Sequence, residues 1–196
     1  MKLKKLLTLS LASTMVFSLA ACGNNETKEP ETNQEETKNS KTKRRSIVFM
    51  ILALVWMGVI FYFSHQPGEV SSNTSGGIST KIADSIIEVF HMDTTKEAVQ
   101  KVHDIVEVLV RKSAHMTEFA ILAVLLLGVV YGREKVKHPY ILSMLLAVCY
   151  AASDEVHQLF VPGRAGMLRD VGIDAIGAGL GLLLICVIVN LIDRTK

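Results

Sequence analysis

An all-α integral membrane bundle is the fold class this sequence predicts, with four spans and amphipathic helices in the first long loop. Three observations predict it. A polar first quarter is followed by an apolar remainder, and hydrophobic residues make up 49% of the 196. Four apolar runs, over residues 47–63, 114–131, 140–152 and 171–192, approach or reach the length that crosses a hydrocarbon core of about 30 Å. Between the first two runs, apolar residues recur at helical spacing. A formal net charge of +2, with no basic cluster interleaved with aromatics, excludes nucleic acid as the expected partner.

In chain order, Lys2, Lys4 and Lys5 precede an apolar stretch over residues 6–21 and the small residues Ala20 and Ala21. This is the layout of an export signal. Leu19-Ala20-Ala21-Cys22-Gly23 resembles the bacterial lipoprotein box, which implies cleavage after residue 21 and a lipid anchor on Cys22. Residues 22–46 are polar and bury too little to offset the entropy of folding, so an unfolded tether is expected there. The membrane domain is then residues 47–192. Cys149 and Cys186 fall in apolar runs and are expected as buried, reduced thiols without a disulfide framework.

The first span, 47–63, is stopped by Pro67 and Gly68. Ile78, Ile82, Ile86 and Phe90 predict an amphipathic helix over 79–90. Thr94 with Glu97 has capping-box spacing and opens a second such helix lined by Val99, Val102, Val106 and Leu109. The second span, 114–131, carries His115 and Glu118 in its first turns. A basic turn over 132–139 leads to the third span, 140–152, which is short unless its helix runs on into Asp154. The fourth, 171–192, has Asp174 near its start, and Gly177, Gly179 and Gly181 allow close helix approach.

Alternating spans bring the unusual polar groups to one end of the bundle. Arg111, His115 and Glu118 share one helix face at i, i+4 and i+7, and Asp154 with His157 and Asp170 with Asp174 do likewise on theirs. Histidines beside carboxylates suit general acid/base work, so His115, Glu118, Asp154, Glu155 and His157 are the candidate catalytic residues. Arg111, Gln158, Arg164, Asp170 and Asp174 are the candidates for binding a substrate. A divalent metal on His115, Glu118 and His157 is an alternative, but no metal-ligand spacing is present and no cofactor is expected. The bland reading is that buried ion pairs lock the helices together. Function is favoured over it because ionisable residues inside a membrane are costly to keep. Pro162 and Gly163 read as turn formers, and His65, His91, His103 and His138 as solvated or interfacial side chains.

The opposite end carries residues 41–45, Arg133, Lys135, Lys137, Arg194 and Lys196. The positive-inside rule assigns that end to the cytoplasm and the polar cluster to the outer face. Export and lipidation of Cys22 would instead start the first span from outside. The two signals oppose each other, and the positive-inside orientation is taken for the domain.

Three motifs carry a family resemblance: Arg111-Lys112-Ser113-Ala114-His115-Met116-Thr117-Glu118-Phe119, the stretch from Ser153-Asp154-Glu155-Val156-His157-Gln158 through Pro162-Gly163-Arg164, and residues 170–181. With Phe61-Tyr62-Phe63-Ser64-His65-Gln66-Pro67-Gly68 before them, they make residues 47–191 resemble the VanZ-like family of bacterial membrane proteins. The resemblance implies a multi-pass protein of the bacterial cell membrane, in a family whose named member is associated with reduced susceptibility to the glycopeptide teicoplanin. It supplies no agreed reaction. The expected function is an effect on the outer envelope, or on its access to glycopeptides, through the polar site. The alternatives are a membrane-embedded enzyme acting on a lipid-linked or cell-wall substrate, and a non-catalytic scaffold or binding module. The implied partners are the bilayer and a cell-wall precursor or the glycopeptide itself.

Overall fold

In hydrocarbon every backbone polar group needs an internal partner, and a run of apolar residues satisfies that need as a helix. The computed structural model describes residues 31–91, 95–131, 133 and 135–195, and among them there is no strand. The described residues form five helices: α1 (Glu31–Ser64), α2 (Gly68–Val89), α3 (Lys96–Val130), α4 (Pro139–Gln158) and α5 (Leu168–Arg194). The expected signal segment, Cys22 and the beginning of the expected tether lie outside the described residues.

Three differences from the sequence-based expectation have physical causes. The tether is helical from Glu31 onward, where an unfolded segment was expected. Glu, Gln and Lys are good helix formers, and no Gly or Pro interrupts residues 31–57, so the first span propagates backward through them. The second amphipathic helix and the second span are one continuous helix, α3, of 35 residues. The charged Arg111-Lys112 pair looks like a boundary in hydropathy, yet nothing between Lys96 and Leu127 breaks a helix. At 1.5 Å per residue α3 is about 52 Å long, well beyond a hydrocarbon core. Its first half packs on α2, where Ala83 and Val106 are buried and Asp84 lies 3.1 Å from His103.

The third difference is the span count. Among the described residues three helical segments are long and apolar enough to cross a membrane: Asn39–Ser64, Lys96–Val130 and Leu168–Arg194. The expected span at 140–152 is not one of them. Its helix, α4, has 20 residues and gives its last turns to Asp154, Glu155, His157 and Gln158. It nevertheless runs along the bundle, burying Ala147 and Ala151, and Tyr150 Oη donates to the Met57 carbonyl at 2.7 Å.

The core lies between α1, α3, α4 and α5, around Ile60, Phe119, Leu122, Leu127, Ala178 and Leu182. Two glycines set its tightest contact. A Cβ on Gly177 would stand 2.3 Å from the Met116 carbonyl oxygen, and one on Gly181 would stand 2.5 Å from that of Ala120. The backbones of α3 and α5 thus touch where neither residue carries a side chain. Gly179 points elsewhere, with only Met144 Cε at 4.0 Å. Ile51, Leu54, Val55, Leu180, Leu183 and Leu184 are exposed, as side chains facing acyl chains would be. Cys149 is exposed and Cys186 half-buried, not the fully buried thiols expected, because a position within an apolar run does not say which face it takes.

Candidate functional site

One end of the bundle gathers the polar residues of all its long helices. At the C-terminus of α1, Ser64 is fully buried, and its Oγ donates to Asp154 Oδ2 on α4 at 2.8 Å. Gln158, one turn beyond Asp154, donates from Nε2 to the same carboxylate oxygen at 3.1 Å and to Ser64 Oγ at 3.0 Å. This closed triangle holds the ends of α1 and α4 together. Next to it, His65 Nδ1 and His157 Nε2 are 3.2 Å apart, and both rings lie close to Phe61. Neither Ser64 nor His65 was singled out from the sequence as a site residue. Ser64 has no signal beyond its place in the first motif; His65 falls on the polar end by the count of crossings but reads as a solvated or interfacial side chain rather than a ligand.

On α3, His115 and Glu118 approach to 3.7 Å across one turn. The indole of Trp56 donates to the Glu118 carbonyl oxygen at 2.9 Å, pinning α1 to this level of α3. Lys112 pairs with Asp170 in the first turn of α5. Asp154 lies near enough to act electrostatically on both His115 and Glu118. Asp174 on α5 feels Glu155, Asp154, Asp170 and Glu118. Four helices therefore contribute to one polar layer.

Within that layer some residues are occupied in building the site. Glu155 Oε2 accepts the Met167 N–H at 2.8 Å, which closes the α4–α5 loop at the residue preceding α5. Gly166 packs against the Glu155 backbone so closely that a Cβ would lie 2.2 Å from its carbonyl oxygen. Pro162 and Gly163 form the turn, with Gly163 at a φ of 74°. Arg164 then reaches back to α1, donating from Nε to the Gln66 carbonyl at 3.1 Å and from Nη2 to that of Phe63 at 3.2 Å. These carbonyls lie at and just beyond the C-terminus of α1, where a cation is the favoured cap, and that of Phe63 also accepts the Gln66 N–H at 3.3 Å. The far end repeats the device, where Arg45 Nη2 donates to the Tyr131 carbonyl at the end of α3, at 2.6 Å.

Other residues are not satisfied by the fold. Asp154 is 3% exposed and Asp174 2%, yet among the described residues Asp154 Oδ1 and Asp174 Oδ2 are buried without a hydrogen-bond partner, as Arg45 Nε, Ser46 Oγ and Tyr140 Oη are at the other end; His115 Nδ1 has only the Glu118 carboxylate, at 3.7 Å. A buried acceptor without a donor costs about 1–3 kcal/mol, so each marks a place where a proton, a water or a ligand donor belongs. Among the described residues no three His, Cys, Asp or Glu side chains are grouped to hold a metal ion, so His115, Glu118 and His157 do not form a ligand set. What the arrangement can do chemically is accept hydrogen bonds or protons deep between α3, α4 and α5, beneath an arginine-bearing rim.

A family profile described as VanZ/LLP1 matches residues 49–190. No curated protein and no solved structure matches the chain.

Proposed function

Since the chain belongs to the VanZ/LLP1 family, we propose that this membrane protein changes the response of the bacterial envelope to the glycopeptide teicoplanin through the polar end of its bundle. The observation that carries the reading is the pair of buried carboxylate oxygens without a hydrogen-bond partner among the described residues, Asp154 Oδ1 and Asp174 Oδ2, contributed by two different helices. A scaffold that only locked its helices together has no use for acceptors left open at their junction. In this reading His115, Glu118, Asp154 and His157 act on what enters, and Asp174 with Gln158 orients it. Glu155, Arg164 and Asp170 hold the surrounding loop. The same open acceptors favour acid/base work on a cell-wall or lipid-linked substrate as a second reading.

The test is expression in a susceptible host. The intact chain raises the minimum inhibitory concentration of teicoplanin, and His115→Ala, Glu118→Ala or His157→Ala returns it to that of the empty host at an unchanged membrane level of protein. An unchanged phenotype in all three variants removes the site from the function.

Orientation belongs to the same reading, with Arg133, Lys135 and Lys137 in the cytoplasm. In a background lacking Cys149 and Cys186, a membrane-impermeant thiol reagent labels Lys101→Cys in intact cells and Lys135→Cys only after permeabilisation. The reverse pattern inverts the domain and favours export with lipidation at Cys22.

A further inference from the structure

Two features of the polar end call for a ligand of mixed character. The first is a cation without an anion. Among the described residues no hydrogen bond or ion pair holds the guanidinium of Arg111, although it is half-buried one turn before His115. Arg164 is its neighbour. Burial and then the positive charge of Arg111 hold the Arg164 guanidinium below its ordinary value, against the opposing pull of Asp154, Glu155 and Glu118. Two like charges brought together, one of them free, form an anion-binding corner, and arginine's planar fork matches phosphate oxygens.

The second feature lies one layer deeper. Asp154 Oδ1 and Asp174 Oδ2 are acceptors with no donor. Arg111 thus lacks an anion of its own, and the interior lacks a donor. Beside the rim the α4–α5 loop shows apolar side chains to the surroundings, with Phe160 81% and Leu168 92% exposed, flanked by Leu159 and Met167. At the end of a membrane bundle that is where acyl chains lie.

We infer that this end binds a phosphate-bearing lipid headgroup that also carries a hydrogen-bond donor, an ammonium or a hydroxyl. The phosphate lies on Arg111 and the free edge of Arg164, the donor reaches Asp154 and Asp174, and the acyl chains rest on Phe160 and Leu168. The inference rests on the polar end being the working site, and it names the substrate class for that site.

Trp56 is the sole tryptophan, and it is hydrogen-bonded to the Glu118 carbonyl, so its emission reports on the site. The purified full chain in detergent is titrated with short-chain phosphatidylethanolamine, with phosphatidylcholine, whose headgroup has no N–H or O–H donor, and with inorganic phosphate. Phosphatidylethanolamine is expected to shift the emission saturably. Phosphatidylcholine and free phosphate each bind about tenfold more weakly or less, the loss that goes with a missing charged hydrogen bond. Arg111→Gln weakens phosphatidylethanolamine about tenfold, and Arg111→Lys recovers part of it. Because Arg111 bonds to nothing among the described residues, both variants keep the wild-type melting midpoint. Arg111→Gln titrating like the wild type overturns the proposal, as does equal binding of phosphatidylcholine. Saturation by inorganic phosphate at the same concentration overturns the lipid assignment. Loss of lipid binding in Arg111→Gln with an unchanged teicoplanin response keeps the headgroup site and removes the glycopeptide reading.

Discussion

Gly177→Ala lowers the unfolding midpoint of the detergent-solubilised protein, whereas Gly179→Ala, two residues away, leaves it unchanged or raises it slightly. The added methyl at 177 would lie 2.3 Å from Met116 O, 2.6 Å from its Cα and 2.8 Å from its carbonyl carbon. All three are backbone atoms, so no side-chain rotation relieves the overlap and α3 must move away from α5. Overpacking of this kind costs about 1–3 kcal/mol, against under about 1 kcal/mol recovered from alanine's better helix propensity. At 179 the only neighbour is Met144 Cε at 4.0 Å, and the propensity gain stands alone. Gly181→Ala behaves as Gly177→Ala does, since its Cβ would meet the Ala120 backbone from 2.5 Å. The measurement is thermal unfolding followed by circular dichroism. Equal midpoints for the 177 and 179 variants would refute the close contact.

The glycine spacing that predicted this approach was visible in the sequence, because small residues one turn apart are the usual way two membrane helices meet. So were the apolar runs and the Pro162-Gly163 turn, which depend on local residue types. The continuity of α3 was not visible. Hydropathy drops at Arg111-Lys112, and only the absence of a helix breaker argued for an uninterrupted helix. The span count failed for a related reason: the apolar run of α4 was read apart from the acidic turns that complete the same helix.

The polar end was legible in part. Counting crossings brought His115, Glu118, Asp154, His157 and Asp174 to one level, since alternation of spans needs no tertiary detail. Which of them are occupied needed that detail. Arg164 and Asp154 look alike in the sequence as charged residues beside apolar runs. In the fold, Arg164 donates to two main-chain carbonyls and Asp154 keeps one oxygen free. Ser64 carries no distinguishing signal in the sequence, because a serine ending a span is chemically ordinary. Its importance comes from a carboxylate 90 residues away that folding brings to 2.8 Å.

Asp154 is the residue at which stability and function part most sharply. In Asp154→Ala, Ser64 Oγ and Gln158 Nε2 lose the carboxylate oxygen they share, and both side chains are buried. Gln158 Nε2 keeps Ser64 Oγ as an acceptor, but the Ser64 hydroxyl and the second Gln158 N–H are left without one at about 1–3 kcal/mol each, and the triangle tying the ends of α1 and α4 is reduced to one bond. A large fall in midpoint and in membrane level is expected. Asp154→Asn keeps an oxygen for both donors, and its amide replaces the oxygen that had no partner. Its midpoint should therefore stay near that of the wild type. The asparagine nevertheless removes the carboxyl that acts on His115, Glu118 and Asp174, so it abolishes the teicoplanin response as completely as alanine does. Paired measurements of midpoint and minimum inhibitory concentration decide the matter. A stable, fully active Asp154→Asn makes Asp154 a helix tie alone, and the open acceptor at its Oδ1 then has no part in function.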